Sequence, residues 1–358
     1  MIEVTNDSSV VNTTEGLNKE VGTNNTIVKE TPVLNVASLC SGLGSDKVAL
    51  TNIGANYKDC YSIELDPQAR KVYALNHGKP ENSYKDITKV NPNKLAKVDL
   101  MMISVPCQSY SLQNCNRGKT CNSKSNLWKY AIDILSHSKS KYFVFENVEG
   151  LVSIEGGQVF RDILKSFKKD YNIHYKILNS KNYGNSCQNR KRVFVVGIKK
   201  SEKNDFSFPE PQAINSCIND FVDKNADISA LTYDASKRVP FITKKETDIK
   251  KKFRLPLKYE ADARIVDSKG ILPCIVASSA YTKIWFEEEN IFRYLSNKEL
   301  SSIMGLKDFD FGDTKKMKTK QLIGNSIDIN VLSLIFKNLI PSKYFSKNEV
   351  ASTLKEVL

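Results

Sequence analysis

Apolar strand-like segments alternate with helix-like segments over residues 32–198, and this alternation restricts the fold more than any other feature of the chain. The predicted strands are Pro32–Leu39, Cys60–Ile63, Asp99–Val105, Lys141–Glu146, Tyr175–Leu178 and Val193–Ile198. The predicted helices are Asp46–Ile53, Pro67–Asn76, Leu127–His137 and Val159–Lys169. Such alternation is typical of an α/β fold with a doubly wound, mainly parallel sheet.

The chain as a whole divides into four regions. Residues 1–31 are rich in Asn, Thr and Ser without apolar periodicity, and we expect a mobile N-terminal extension. Residues 32–200 form the predicted catalytic and cofactor-binding domain. Residues 201–285 mix basic and aromatic residues, which fits either an irregular surface insert or a nucleic-acid-facing subdomain. Residues 286–358 return to core-like patterning and are expected to complete the catalytic domain.

Composition favours a polyanionic partner. Lys and Arg outnumber Asp and Glu by 53 to 40, giving a formal charge of +13. Basic side chains gain affinity for nucleic acids by displacing counterions from phosphates, although a lysine-rich composition also follows from an AT-rich genome. No apolar run approaches the roughly 20 residues of a membrane helix, and we expect a cytoplasmic protein. The eight cysteines include no C-x-x-C pair, so we expect free thiols and no metal site.

Two features at the first strand ends suggest a nucleoside cofactor. Ser41-Gly42-Leu43-Gly44 lies between the first strand and first helix, where glycines permit a close backbone approach to a ligand. Glu64 ends the second strand about 20 residues later, where a carboxylate holds a ribose in many nucleotide-binding sheets. A tight turn and a solvated strand end are the plainer interpretations.

Further polar residues follow or precede later strands. Cys107 comes just past a strand end in Pro106-Cys107-Gln108-Ser109, where a nucleophile would point into a cleft, although a buried cysteine is usually small core filler. Glu146 is predicted to follow one strand, and Arg190 and Arg192 to precede another. Groups at such ends converge on one cleft of an α/β sheet.

The order of these motifs resembles that of the DNA (cytosine-5) methyltransferases, from about Leu34 to Phe336. The matching segments are Ser41–Gly44, Glu64, Lys85-Asp86-Ile87, Pro106-Cys107-Gln108 with Ser111, Asn126-Leu127-Trp128, Glu146-Asn147-Val148, Gln188-x-Arg190-x-Arg192-Val193, Arg293–Ser296 with Glu299 and Gly305, and Gly324-Asn325-Ser326. Pro-Cys-Gln, Glu-Asn-Val and Q-x-R-x-R-V in this order are highly specific.

The resemblance implies an S-adenosylmethionine-dependent, Rossmann-like methyltransferase with a smaller target-recognition domain at 201–285. It implies attack by the Cys107 thiolate on cytosine C6, a hydrogen bond from Glu146 to the base, and binding of the base O2 by Arg192 with support from Arg190. The implied cofactor-binding residues are Cys40, Gly42, Leu43, Gly44, Glu64, Leu65, Asp86, Ile87, Leu127, Asn325 and Ser326. The predicted DNA-binding residues are Gln108, Ser111, Gln113, Arg117, Lys119, Lys252, Arg254, Tyr281 and Lys283.

The target carbon is inaccessible in stacked DNA, so the cytosine must be flipped out of the duplex. We therefore expect the polar segment 108–125 to form a loop that closes over the base. The implied partner is double-stranded DNA, with a monomeric enzyme acting either beside a restriction endonuclease or alone, as in phages.

Three departures from the family pattern stand out. Cys40 replaces a usual aromatic residue, Asn114 a usual glycine, and Cys274-Ile275-Val276 a common Thr-Leu-Thr element. None removes a reacting group.

Three other functions fit parts of the pattern. The tRNA-methylating branch of the family typically carries a Cys-Phe-Thr segment in the recognition region, which is absent here. A DNA-binding protein that lost activity would not need Cys107, Glu146 and Arg192 together. A small-molecule methyltransferase would not need the basic insert.

Overall fold

A computed structural model describes residues 31–106, 127–242, 247–278 and 281–345 of the 358-residue chain. The predicted N-terminal extension therefore lies outside the described residues, apart from Thr31. So do Cys107 and the polar segment that follows it.

The order of elements is that of an α/β protein with a later, strand-rich insert. The strands are β1 Leu34–Leu39, β2 Tyr57–Ile63, β3 Asn82–Tyr84, β4 Leu100–Ile103, β5 Tyr142–Val148, β6 Tyr171–Asn179, β7 Gln188–Asn189, β8 Lys191–Lys199, β9 Val239–Pro240, β10 Lys251–Arg254, β11 Arg264–Asp267, β12 Leu272–Pro273, β13 Lys283–Phe286 and β14 Ile291–Arg293. The helices are α1 Ser45–Asn52, α2 Pro67–His77, α3 Leu127–Ser138, α4 Gln158–Phe167, α5 Ser180–Tyr183, α6 Glu260–Ala263, α7 Asn297–Ile303, α8 Lys316–Asn325 and α9 Ile329–Leu339.

The central sheet has seven strands in the order β3-β2-β1-β4-β5-β8-β6. All neighbouring pairs are parallel except those of β8, which runs antiparallel to both β5 and β6. The predicted doubly wound α/β class is thus confirmed. Because β8 is reversed, its first residues lie at the edge where β1, β4 and β5 end.

Alternate residues of the central strands pack into two separate hydrophobic cores, one on each face of the sheet. Met102 and Val144 face a cluster that also contains Leu50 of α1 and Phe336 of α9. Met101, Ile103, Phe143 and Phe145 face a second cluster with Ile134 of α3 and Ile163 of α4. Burial on both faces explains why these strands are almost continuously apolar in sequence.

A second, five-stranded sheet follows the order β14-β13-β11-β10-β9. It runs on to Arg293, past the predicted boundary at residue 285. One of its faces packs against the first core through Val266, Ile284 and Phe286. Its other face forms a small aromatic cluster around Trp285. Residues 201–285 therefore share a continuous apolar core with the large sheet.

None of the helices in the described part of the chain has the length and apolarity needed to cross a membrane.

A buried ionic network fixes the start of α1 beneath the first loop. Lys47 is 0% exposed, and its ammonium donates hydrogen bonds to Ser38 Oγ and Asp46 Oδ2, both at 2.7 Å. Asp59 Oδ1 lies 3.4 Å away, and Tyr73 donates to the other oxygen of Asp59 at 2.6 Å. Burial lowers the pKa of Lys47, but the two carboxylates raise it by more, so the ammonium stays charged.

Replacing Lys47 with Met should reduce the free energy of unfolding by about 3–5 kcal/mol, because two buried carboxylates lose their counter-ion. Lys58→Met is the matched control, since Lys58 forms an exposed pair with Glu81 and should cost less than about 1 kcal/mol. Urea unfolding followed by circular dichroism measures both. Equal losses in the two variants would contradict the structural role of Lys47.

Candidate active site

The loop after β1 uses its two glycines for different purposes. Gly44 has φ +77°, and a Cβ there would lie 2.6 Å from His77 Nε2 and 2.7 Å from the Tyr73 ring. Gly44 therefore permits the start of α1 to approach α2. Gly42 has φ +52°, and a Cβ there would meet no heavy atom within 4 Å. Only Gly42 faces open space, as a ligand-binding glycine would.

Glu64 is fixed next to this open space. Its Oε2 accepts the backbone N–H of Gly42 at 2.8 Å, and its Oε1 accepts that of Asp66 at 2.8 Å. Burial raises the pKa of Glu64, and the two backbone N–H groups partly offset this. Burial together with Glu64 also raises the pKa of the Cys40 thiol to about 12, so Cys40 is a neutral thiol.

The neighbouring cofactor candidates differ in their accessibility. Leu65 is 67% exposed, an unusual position for a large apolar side chain beside a buried carboxylate. Leu43 is 2% exposed and packs in the first core. The Leu43 side chain thus anchors the loop to the core, and the predicted cofactor contact of Leu43 stays a prediction for its backbone.

The remaining cofactor candidates occupy three other segments. The Asp86 carboxylate accepts hydrogen bonds from the N–H and Oγ1 of Thr88, which lower its pKa. Ile87 is buried and Leu127 partly buried in the second core. Asn325 is exposed at the end of α8, whereas Ser326 is buried and donates to the Leu322 carbonyl at 2.9 Å.

The loop after β1 fits the nucleoside portion of S-adenosylmethionine. An open glycine, an oriented carboxylate and an exposed apolar side chain lie together at the carboxyl end of β1 and β2. The glycine allows the protein backbone to approach the ligand closely, the carboxylate can accept hydrogen bonds from ribose hydroxyls, and the apolar side chain can cover an adenine ring.

Glu146 and Arg192 form an ion pair at the same edge of the sheet. Arg192 Nε lies 3.3 Å from Glu146 Oε1, and both side chains are largely buried. Burial raises the pKa of Glu146, while Arg192 and Arg190 oppose the shift. β5 extends to Val148, past the predicted strand end at Glu146, and β8 begins at Lys191 rather than at the predicted Val193, because the two strands pair along their full length.

Asn147 connects this pair to the chain that leads to Cys107. Its Nδ2 donates to the Val105 carbonyl at 3.2 Å. The last residues before Cys107 are thereby held against the end of β5. Cys107, Gln108, Ser111, Gln113, Arg117 and Lys119 themselves lie outside the described residues.

Arg190 is a buried clamp. It is 2% exposed, and its guanidinium donates to the carbonyls of Ile275 at 2.8 Å, Gly324 at 3.2 Å and Ser326 at 2.5 Å. These bonds turn the guanidinium into the protein, and the predicted catalytic role of Arg190 stays a prediction. Its predicted supporting role agrees with the geometry.

The sequence analysis did not select Cys274 as a site residue. Its sulfur lies 3.4 Å from Arg190 Nη1 and 3.8 Å from Arg192 Nη2. The only signal in the sequence was the departure from Thr-Leu-Thr at this position.

The predicted DNA-binding residues within 201–285 differ in how far their side chains are engaged by other groups of the protein. Lys252 lies 3.6 Å from Glu287, and Arg254 is exposed at the end of β10. Lys283 instead donates to the Asp262 carbonyl at 2.7 Å, and the Tyr281 ring faces Lys320. The side chains of Lys283 and Tyr281 thus have partners within the protein, which the basic-aromatic pattern did not reveal.

The strand order, the loop after β1 and the acidic residue after β2 define a Rossmann-like, S-adenosylmethionine-dependent methyltransferase. A family model for C-5 cytosine-specific DNA methylases matches residues 34–341. The chain belongs to that family, which uses S-adenosylmethionine as the methyl donor and acts on DNA.

Curated relatives include both phage and restriction-modification enzymes. Type II methyltransferase M.HhaI of Haemophilus parahaemolyticus is 29% identical over 329 residues, covering 88% of this chain and 97% of that protein. Orphan methyltransferase M.Rho11sI of Bacillus phage rho11s is 36% identical over 169 residues, covering 47% of this chain and 33% of that protein. The chain thus spans about a third of the phage enzyme.

Solved structures share the fold. The Dnmt2 methyltransferase of S. pombe superposes with a TM-score of 0.65 at 19% identity, covering 86% of this chain and 100% of that one. A putative DNA modification methyltransferase encoded within an E. coli prophage gives 0.64 at 18% identity, covering 86% and 98%.

Replacing Arg190 or Arg192 singly with Met should have different effects on stability and on activity. Arg190→Met should lower the free energy of unfolding by about 3 kcal/mol or more, because three buried carbonyls lose a donor. Arg192→Met should cost only about 1 kcal/mol, because Glu146 can take up a proton. Thermal unfolding and methyl transfer from labelled S-adenosylmethionine are measured together. A stable but inactive Arg190→Met protein would show that the clamp assignment is incorrect.

Proposed function

We propose that this chain transfers a methyl group from S-adenosylmethionine to C5 of a flipped-out cytosine in a specific duplex DNA site. Family membership supports the reaction class, and the Glu146–Arg192 pair is the observation that carries the site assignment. It places a carboxyl group and a guanidinium at the sheet edge where the chain leads to Cys107. This combination suits the N3, N4 and O2 edge of a cytosine.

In the proposed reaction the Cys107 thiolate adds to cytosine C6. The electron pair of the C5–C6 bond moves toward N3, where Glu146 supplies a hydrogen bond or its proton. Arg192 donates to O2 and disperses the developing charge. Bound S-adenosylmethionine supplies an electrophilic methyl group to C5. Solvent water then accepts the C5 proton, the C5–H electron pair re-forms the C5–C6 double bond and expels the Cys107 thiolate, and N3 returns its proton to Glu146.

The raised pKa of Glu146 suits this role. A carboxyl group in water is ionised at neutral pH and has no proton to share, whereas burial favours its protonated form. Because Arg192 limits the rise in the pKa of Glu146, the carboxyl group can still release its proton. Glu146 is thus prepared both to donate to the base and to recover its proton afterwards.

We propose that residues 201–285 form the target-recognition domain, and that 32–200 and 286–358 form the catalytic domain. Basic and aromatic groups lie close together at the second sheet: Arg238, just before β9, stacks over Phe253 and Phe292 with 5.3 Å and 4.7 Å to the ring centroids. Segment 108–125 would close over the flipped base with Gln108, Ser111, Gln113, Arg117 and Lys119 near the DNA.

The proposed cellular setting is the bacterial cytoplasm, with the chain acting as a monomer. The names of its relatives include both type II and orphan phage methyltransferases. A separate cognate endonuclease and a solitary role are therefore both compatible with the proposal.

Cys107→Ser should abolish methylation, because a serine hydroxyl is too weak a nucleophile without a thiolate's charge, and should retain duplex binding. Bisulfite sequencing of DNA from cells expressing each protein measures activity and identifies the methylated site. Cys115→Ser, in the same segment, is the control and should remain active. Methylated DNA in cells with the Cys107→Ser protein would refute the mechanism.

Glu146→Gln should reduce kcat by about 10²–10⁴-fold, because the amide can donate a hydrogen bond but not a proton. Since protonated Glu146 is the active form, wild-type turnover should decline as pH rises through its elevated pKa, and the variant should lack this decline. Tritiated methyl transfer across pH measures both. Glu149→Gln, which alters a nearby partly exposed carboxylate paired with Lys191, is the control. An identical pH profile in wild type and Glu146→Gln would exclude this role.

A further inference from the structure

Cys274 lies opposite the arginines of the active site because of the two-stranded sheet β7–β12. Leu272 pairs with Gln188 and Pro273 with Asn189 in parallel register. The next residue of each strand is therefore Cys274 on one and Arg190 on the other. Backbone pairing of β7 with β12 therefore positions the Cys274 sulfur next to the guanidinium groups.

Three of the groups that contact the Arg192 guanidinium lie close to the proposed site. Its Nη1 donates to the Lys191 carbonyl at 2.8 Å, and its Nε faces Glu146 Oε1 at 3.3 Å. Its Nη2 points to Cys274 Sγ at 3.8 Å. The sulfur thus fixes the end of the guanidinium away from the backbone, and its removal would leave rotation of that end less restricted.

The sulfur also lies between two like charges. Arg190 and Arg192 each direct an Nη atom toward it. Burial raises the pKa of the Cys274 thiol, but the two guanidinium groups lower it by more, so the net shift is downward. As a thiol, Cys274 donates to the Ile275 carbonyl at 3.5 Å, and this oxygen also accepts from Arg190 at 2.8 Å, so it keeps a donor when the thiol proton is lost.

We propose that Cys274 is a positioning residue whose sulfur, shared by Arg190 and Arg192, holds Arg192 in place beside Glu146. Its effect on turnover rests on the proposed function. A threonine hydroxyl at this position would accept a hydrogen bond without carrying charge. A cysteine sulfur between two guanidinium groups can instead act as an anionic acceptor, which a hydroxyl cannot.

The groups around Cys274 determine the direction of its effect on pH dependence. Arg190 and Arg192 face it from the start of β8, with Glu146 of β5 beyond Arg192. Asp328 at the start of α9 acts on Arg190, and Lys320 of α8 and Tyr281 line the same cavity of about 30 Å³ as Cys274. Removing the sulfur's charge leaves both guanidinium groups acting on Glu146, which should then lose its proton at lower pH.

The first test measures the thiol itself and needs no methyl transfer. The full chain is alkylated with iodoacetamide across pH, and labelling of the Cys274 peptide is followed by mass spectrometry. The labelling midpoint should lie below the usual cysteine value of about 8.5 and should rise in Arg192→Met. Cys217, a partly exposed cysteine at another site, is the internal reference. A midpoint at or above about 8.5, or one unchanged by Arg192→Met, would overturn the proposal.

The second test compares Cys274→Ala and Cys274→Ser with a Cys217→Ser control. Cys274→Ala should lose about tenfold in kcat, the effect of one charge-assisted hydrogen bond, with KM for S-adenosylmethionine within about twofold. Cys274→Ser should recover part of kcat, because its hydroxyl still accepts a hydrogen bond. Both should shift the high-pH decline of turnover to lower pH, whereas Cys217→Ser should not.

These outcomes separate the two proposals. An unshifted pH profile in Cys274→Ser and Cys274→Ala would overturn the positioning role while leaving the methyltransferase intact. A wild-type protein that methylates no DNA would reject the proposed function, and the alkylation midpoint would then decide whether the sulfur and arginines form the proposed charge cluster.

Discussion

The buried guanidinium of Arg190 is the interaction on which the rest of the site depends. It joins three segments that are far apart in sequence, through the carbonyls of Ile275, Gly324 and Ser326. A buried cation without such partners would be very costly, so these segments must meet where Arg190 places them. The clamp therefore fixes the turn after α8 and the chain after β12 against the start of β8.

Burying Arg190 next to Arg192 brings two positive charges together, and neighbouring acidic groups offset their repulsion. Burial and the nearby Arg192 both lower the pKa of Arg190, which means that the site holds two cations under strong mutual repulsion. Glu146, Cys274 and Asp328 supply acidic groups around them. Asp328 is itself buried with a raised pKa, and hydrogen bonds from Ser186 and Ser180 moderate the shift. The reactivity of Glu146 is thus set by a cluster rather than by a single pair.

The sequence was sufficient for the fold class and for the order of motifs, because strands buried on both faces and helices between them leave a strong periodic signal. It was insufficient wherever a side chain's direction depends on tertiary pairing. Leu43 and Gly42 are adjacent in one motif, yet one packs in the core and the other faces open space. The family resemblance implied different roles for Arg190 and Arg192 in Q-x-R-x-R, but only the contacts with distant carbonyls give the physical reason, since they hold Arg190 inside the protein. Cys274 could not be placed because its location depends on the pairing of β12 with β7.

The reversed strand β8 explains how the two kinds of residue are combined. In an all-parallel sheet each strand brings only its last residues to the ligand edge. Since β8 runs antiparallel to β5, it brings its first residues there, and Arg192 lies beside Val148 in the register, close to Glu146. A guanidinium at the beginning of one strand thus meets a carboxylate near the end of another. The same reversal places Arg190 just before β8, where the later segments of the chain can reach it, so one topological choice positions both the clamp and the ion pair that it supports.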